Sequence, residues 1–132
     1  MSAARSVILQ RRQPADYTMA TTAADKLLDR EPMLREIVRR IVDAYHPLRI
    51  YIFGSKARGD SGADSDYDLL VVVKDEAPAD LRQSRLAYQS LWGTGTAADV
   101  LVCTDGYFRS RVQVKTSLPA TVEREGKLLY GV

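Results

Sequence analysis

Two short runs of branched and aromatic residues, Leu48 to Phe53 and Asp68 to Val73, enclose a stretch with three glycines (Gly54, Gly59, Gly62) and five charged residues. The flanking runs read as neighbouring strands. The stretch between them is too polar to be core, so any fold of this chain has to carry it at the surface between two strands.

The segments on either side narrow the choice. Leu34, Ile37, Val38, Ile41, Val42 and Tyr45 fall at i, i+3, i+4, i+7, i+8 and i+11, one apolar stripe that predicts a helix over residues 32 to 45. Pro32 suits its first turn and Pro47 ends it. Residues 80 to 92 predict a weaker amphipathic helix, with Asp80 as N-cap, Leu81, Tyr88 and Leu91 on one side, and Gly93 and Gly95 as terminators. Residues 98 to 103 read as a third, buried strand. Ser117 with Pro119 opens a short helix, Gly126 closes it, and Leu128 to Tyr130 add a terminal strand. This alternation favours an α/β or α+β fold, a sheet with helices packed on it.

At 132 residues, 45% of them apolar, the chain has material for one core. Residues 23 to 132 are assigned to that domain. Residues 1 to 22, rich in Ala, Thr, Arg and Gln, are assigned to a leader that is ordered only against a partner. With 19 basic and 17 acidic residues the net charge is +2, and no basic stripe interleaved with aromatics is present. Charge therefore makes no case for nucleic acid. The single cysteine, Cys103, follows Val100, Leu101 and Val102 and reads as a small core residue in a reducing compartment rather than a nucleophile. The longest apolar run, Leu69 to Val73, is far short of the roughly 20 residues that span a bilayer. No export signal opens the chain, so the expectation is a cytoplasmic protein with no membrane segment.

Chemistry is concentrated in residues 53 to 70, FGSKARGDSGADSDYDLL. Gly54 and Ser55 follow a strand and precede Lys56 to Gly59, which can turn as a helix. A glycine there lets backbone approach a phosphate, and Ser55 adds a hydroxyl to the amides of a helix N-terminus. Alone, the pair is equally an ordinary strand-to-loop turn. Asp66 and Asp68 sharpen it. They stand one residue apart at the mouth of a strand, so both carboxylates project to one face while Tyr67 turns away. Adjacent carboxylates repel unless a divalent cation joins them, and oxygen ligands together with substrate phosphates suit Mg²⁺. Asp60 and Asp64 read as a solvated acidic turn.

Asp99 opens the third strand ahead of apolar residues. An acid there is costly to bury unless paired or bound to metal. If its strand lies beside the one led by Asp66, three carboxylates converge and can hold two metal ions about 3.5 to 4 Å apart, with Asp99 also able to accept a hydroxyl proton. The alternative is a strand-opening residue without a chemical role. Arg58 either reaches phosphate or pairs with Asp60 or Asp64, in both cases as electrostatic support. Lys56 is expected to face solvent, His46 to end a helix, and Trp92 to act as a packing or interface anchor.

The pattern G-S-x-A-R-G, five residues, then S-D-x-D-L resembles the nucleotidyltransferase signature of the DNA polymerase beta superfamily, and most of all its minimal prokaryotic (MNT) members. It is filled here by Gly54, Ser55, Ala57, Arg58 and Gly59, then Ser65, Asp66, Asp68 and Leu69. The resemblance implies a mixed sheet flanked by helices. It implies nucleotide binding by Gly54, Ser55, Arg58 and Ser65, and catalysis and Mg²⁺ binding, with two ions, by Asp66, Asp68 and Asp99, with ATP as substrate. Small members of this family lack an acceptor-binding domain, and nothing sizeable follows the third strand here. Many act as antitoxin to a HEPN-domain partner, some by moving AMP from ATP to a tyrosine of that partner. A homo- or hetero-oligomer is left open. The competing expectations are a non-catalytic protein that masks its partner and an enzyme adenylylating an aminoglycoside-type small molecule.

Overall fold

The computed structural model describes residues 22 to 59, 66 to 95 and 97 to 131. Helix α1 (Ala23–Arg30) starts on a capping box, the Asp25 amide donating to Thr22 Oγ1 at 3.0 Å while the Thr22 amide donates to the Asp25 carboxylate. Helix α2 (Pro32–Tyr45) begins on Pro32 and ends on His46, whose φ of 47° makes it a left-handed cap. All six residues of its predicted stripe are buried.

Strand β1 (Arg49–Phe53) runs into the five-residue helix α3 (Gly54–Arg58), and β2 (Tyr67–Val73) follows. A 3₁₀ turn (Ala79–Arg82), α4 (Arg85–Ser90), β3 (Ala98–Thr104), α5 (Asp105–Arg111), α6 (Leu118–Glu125) and β4 (Lys127–Gly131) complete the order. The sheet reads β3-β2-β1-β4. β1 is antiparallel to β2 and β4, whereas β2 and β3 are parallel. The expected mixed sheet with helices is therefore present.

Strand parity divides the apolar residues between two faces. Ile50, Ile52, Leu69, Val71, Val73 and Val100 pack with α1, α2 and Ala87 in the larger core. Tyr51, Leu70 and Val72 pack with Phe108 of α5 and Val122 of α6 in the smaller one, where Cys103 and Leu128 join them. Asp66, Asp68 and Asp99 share parity with the second set, whose apolar residues pack beneath α5 and α6.

Three expectations need correction. Residues 80 to 92 do not form one helix: Asp80 sits in the 3₁₀ turn, and α4 starts after Ser84. The break is tertiary in origin, since the buried Tyr45 hydroxyl donates to the Gln83 carbonyl and accepts from the Ala87 amide, and Gln83 is extended. β3 is the sheet's edge strand among the described residues, with Val100 buried but Leu101 43% exposed. Lys56 does not face solvent: its side chain is 11% exposed and lies over the Tyr67 ring, 5.0 Å from the centroid. Two short helices, α1 and α5, had no counterpart in the sequence reading.

Candidate active site

The site forms where β1 ends and β2 and β3 begin. Because β1 is antiparallel to β2, Phe53 pairs with Asp68, and the next residue, Gly54, turns the chain across the start of β2. Gly54 has a φ of +77°, a conformation that glycine adopts without steric cost. A Cβ there would collide with Asp68 Oδ2 and lie 3.3 Å from Asp68 Cγ. The backbone at the turn and the Asp68 carboxylate are thus in contact, which only a glycine allows.

Gly54 and Ser55 open α3. Phe53 at its N-cap makes no side-chain cap bond, so the N-cap residue leaves the first-turn amides uncapped. Gly59 closes the turn in a left-handed conformation, its amide donating to the Ser55 carbonyl at 2.9 Å. α3 is bolted down from both sides. Lys56 Nζ lies 3.7 Å from Glu31 Oε1, the Tyr67 hydroxyl donates to the same carboxylate, and Lys127 Nζ donates to the Ala57 carbonyl. Burial first, then the hydrogen bond to Glu31 and last the Glu31 charge push the Tyr67 phenol up, so it stays a donor. Tyr67, between the two acids, thereby ties the start of β2 to α3 while Asp66 and Asp68 turn the other way.

The parallel ladder sets Asp68 directly against Asp99. Asp66 is exposed two residues before Asp68, and Asp99 is exposed on the edge strand. Burial raises the Asp68 carboxyl above its ordinary value, the charges of Asp99 and then Asp66 raise it further, and Arg58 opposes them. The structure brings Asp66, Asp68, Asp99, Gly54 and Arg58 into one neighbourhood. Ser65, Asp60 and Asp64 lie outside the described residues.

Among the described residues no three acidic, histidine or cysteine side chains form a ready metal cage. Three like charges have no reason to converge further by themselves. The donor set nevertheless fits Mg²⁺, which keeps several waters and takes one or two protein carboxylates plus phosphate oxygens. Mutual repulsion at Asp68 is the feature a cation would relieve.

Sequence reasoning missed Tyr88. It was placed on the apolar side of its helix, yet it is 45% exposed, and its Oη donates to Asp99 Oδ1 at 3.2 Å. It also missed the Lys56, Glu31 and Tyr67 cluster, for which only the aromatic between two acids was a signal. Trp92 is 86% exposed, so the packing role expected of it is not borne out.

The sequence profile of a family described as nucleotidyltransferase domain matches residues 32–127. Among solved structures, a proposed nucleotidyltransferase from Sulfolobus solfataricus is similar at 26% identity and a TM-score of 0.50, over 83% of this chain and 87% of the other. A variant of the MntA-HpeT toxin-antitoxin is similar in fold, at 20% identity and a TM-score of 0.51, over 74% of this chain and 73% of the other. A toxin-antitoxin structure with AMP-PNP aligns at 24% identity and a TM-score of 0.49, over 74% and 73% of the two chains. No curated protein sequence matches the chain. Among the described residues no helix is long and apolar enough to cross a membrane.

Proposed function

The chain belongs to the nucleotidyltransferase domain family, and on that premise we propose that it moves AMP from ATP to a hydroxyl, that of a tyrosine on a HEPN-domain partner whose toxicity it restrains. The observation that carries the reading is the Asp68 and Asp99 pairing across a parallel ladder, with Gly54 backbone packed on Asp68. That places carboxylates and an amide-lined turn side by side, the two halves a triphosphate with a divalent cation requires.

In this reading the amides of Gly54 and Ser55 receive the terminal phosphates, with Ser65 and Arg58 adding polar and positive contacts. Asp66 and Asp68, with Asp99, would hold the metal. Two Mg²⁺ ions would supply charge neutralisation along the triphosphate and at the incoming oxygen. Asp99 accepts the hydroxyl proton. The oxygen bonds to the α-phosphorus, the bond to the bridging oxygen of the β-phosphate breaks, and pyrophosphate leaves.

The partner assignment rests on the sequence resemblance to MNT antitoxins. The exposed Trp92 gives a protein partner a large apolar anchor. The test is to combine the chain, ATP labelled at the α-phosphate, Mg²⁺ and the partner protein. Label is expected on a partner tyrosine and is expected to be lost in Asp66→Asn. No transfer, or transfer undiminished in Asp66→Asn, would sink the reading. Full neutralisation of the partner by the Asp66→Asn, Asp68→Asn double variant would point instead to a protein that silences by masking.

A further inference from the structure

Tyr88 brings a hydroxyl onto an acid of the site. Its Oη donates to Asp99 Oδ1 at 3.2 Å and accepts from the Val100 amide at 3.3 Å. Packing does not account for it, because Tyr88 is 45% exposed and Ala87 is the residue α4 buries. We propose that Tyr88 is itself an acceptor, so that the chain transfers a nucleotidyl group to its own tyrosine; this inference rests on the reading of the site given above.

The geometry meets what an acceptor needs. Asp99 Oδ1 is already within hydrogen-bond reach of the proton it would remove. The Val100 N–H donates to Tyr88 Oη and stabilises the negative charge left on that oxygen as its proton departs. Held at two points, the hydroxyl is beside the Asp68 and Asp99 pair with no diffusive encounter left to make. In the step, Tyr88 Oη bonds to the α-phosphorus of a nucleoside triphosphate and the phenol proton passes to Asp99 Oδ1. The bond from that phosphorus to the oxygen bridging the β-phosphate breaks, and pyrophosphate leaves with the electron pair. The product is a tyrosyl phosphodiester seated against Asp99.

The experiment incubates the full chain with Mg²⁺ and each of the four common ribonucleoside triphosphates labelled at the α-phosphate, with and without the partner protein, and maps label by peptide mass spectrometry. Label on Tyr88, falling to background in Tyr88→Phe and in Asp66→Asn, is the expected result. The fraction labelled per unit time should not change when the protein is diluted, because hydroxyl and acids belong to one chain. Label on another residue of the chain, self-labelling undiminished in Tyr88→Phe, or a rate that falls with dilution would overturn it. Label on the partner with none on the chain would overturn this inference and leave the proposed function standing. Label nowhere, with any of the four nucleotides, would remove both.

Discussion

Gly54→Ala separates two consequences of one substitution. An alanine held at the Gly54 φ of +77° loses about 1 to 2 kcal/mol to left-handed strain. Against a total of about 5 to 15 kcal/mol for a domain of this size, the variant stays folded. The new Cβ would also land on Asp68 Oδ2, so either the carboxylate rotates away or α3 shifts. A displacement near 1 Å at a catalytic group lowers the rate on the order of a hundredfold, which corresponds to about 3 kcal/mol of barrier. Gly93 supplies the control, with a φ of +86° and nothing within 4 Å of its ideal Cβ. Gly93→Ala should show the same strain and transfer nucleotide at the normal rate. Stability is read by urea unfolding followed by circular dichroism, since the lone tryptophan, Trp92, is 86% exposed when folded and reports unfolding poorly. Activity is read as metal-dependent release of pyrophosphate. Should Gly54→Ala match Gly93→Ala in rate, contact between the turn and Asp68 does not matter to the chemistry.

Asp68→Asn should make the metal-free chain more stable while abolishing transfer, because burial and the Asp99 and Asp66 charges penalise that carboxylate. Its raised carboxyl sets the sign: the penalty exists while Asp68 is ionised and is relieved as pH falls through its pKa, so the advantage of Asn should vanish in acid, and an equal advantage at all pH values would contradict the electrostatic account. Tyr45→Phe leaves the Gln83 carbonyl and the Ala87 amide without their partner and should cost about 1 to 3 kcal/mol in urea unfolding; unchanged stability would mean that Tyr45 does not anchor α4. Glu36 is held down to about 2 by hydrogen bonds from Arg39 and Arg40, from an ordinary value of 4.5. Its contribution is complete above that ordinary value and lost as pH falls toward 2, so acid unfolding of Glu36→Gln should be less steep than that of the parent between those limits.

What the sequence made legible was whatever a repeating pattern writes into it. The stripe from Leu34 to Tyr45 marks α2 to the residue, and the runs ending at Phe53 and Val73 mark β1 and β2, because burial on one or both faces selects residue type at fixed spacing. Asp66 and Asp68 were legible as one cluster through parity, and Asp99 joined them once β3 paired with β2. The exposure of β3 was not legible, since Val100, Leu101 and Val102 have the same composition on an edge as in a sheet centre. Lys56 was misjudged because a long stem packed on Tyr67 leaves no mark in local charge. Tyr88 was misjudged because the short α4 turns Ala87 rather than Tyr88 into the core, and the acid that Tyr88 bonds lies on another element.

The level pairing of Asp68 with Asp99 makes the centre sensitive to parity rather than to length. Residues added to the connection between α4 and β3 would be absorbed as a longer loop. A single residue inserted between Asp99 and Val100, inside the ladder, would instead invert every following side chain, sending Leu101 and Cys103 toward the α2 layer and Val100 into water. A designer or an evolving lineage can therefore rebuild the approach to this centre freely, provided that the count along β3 itself stays unaltered.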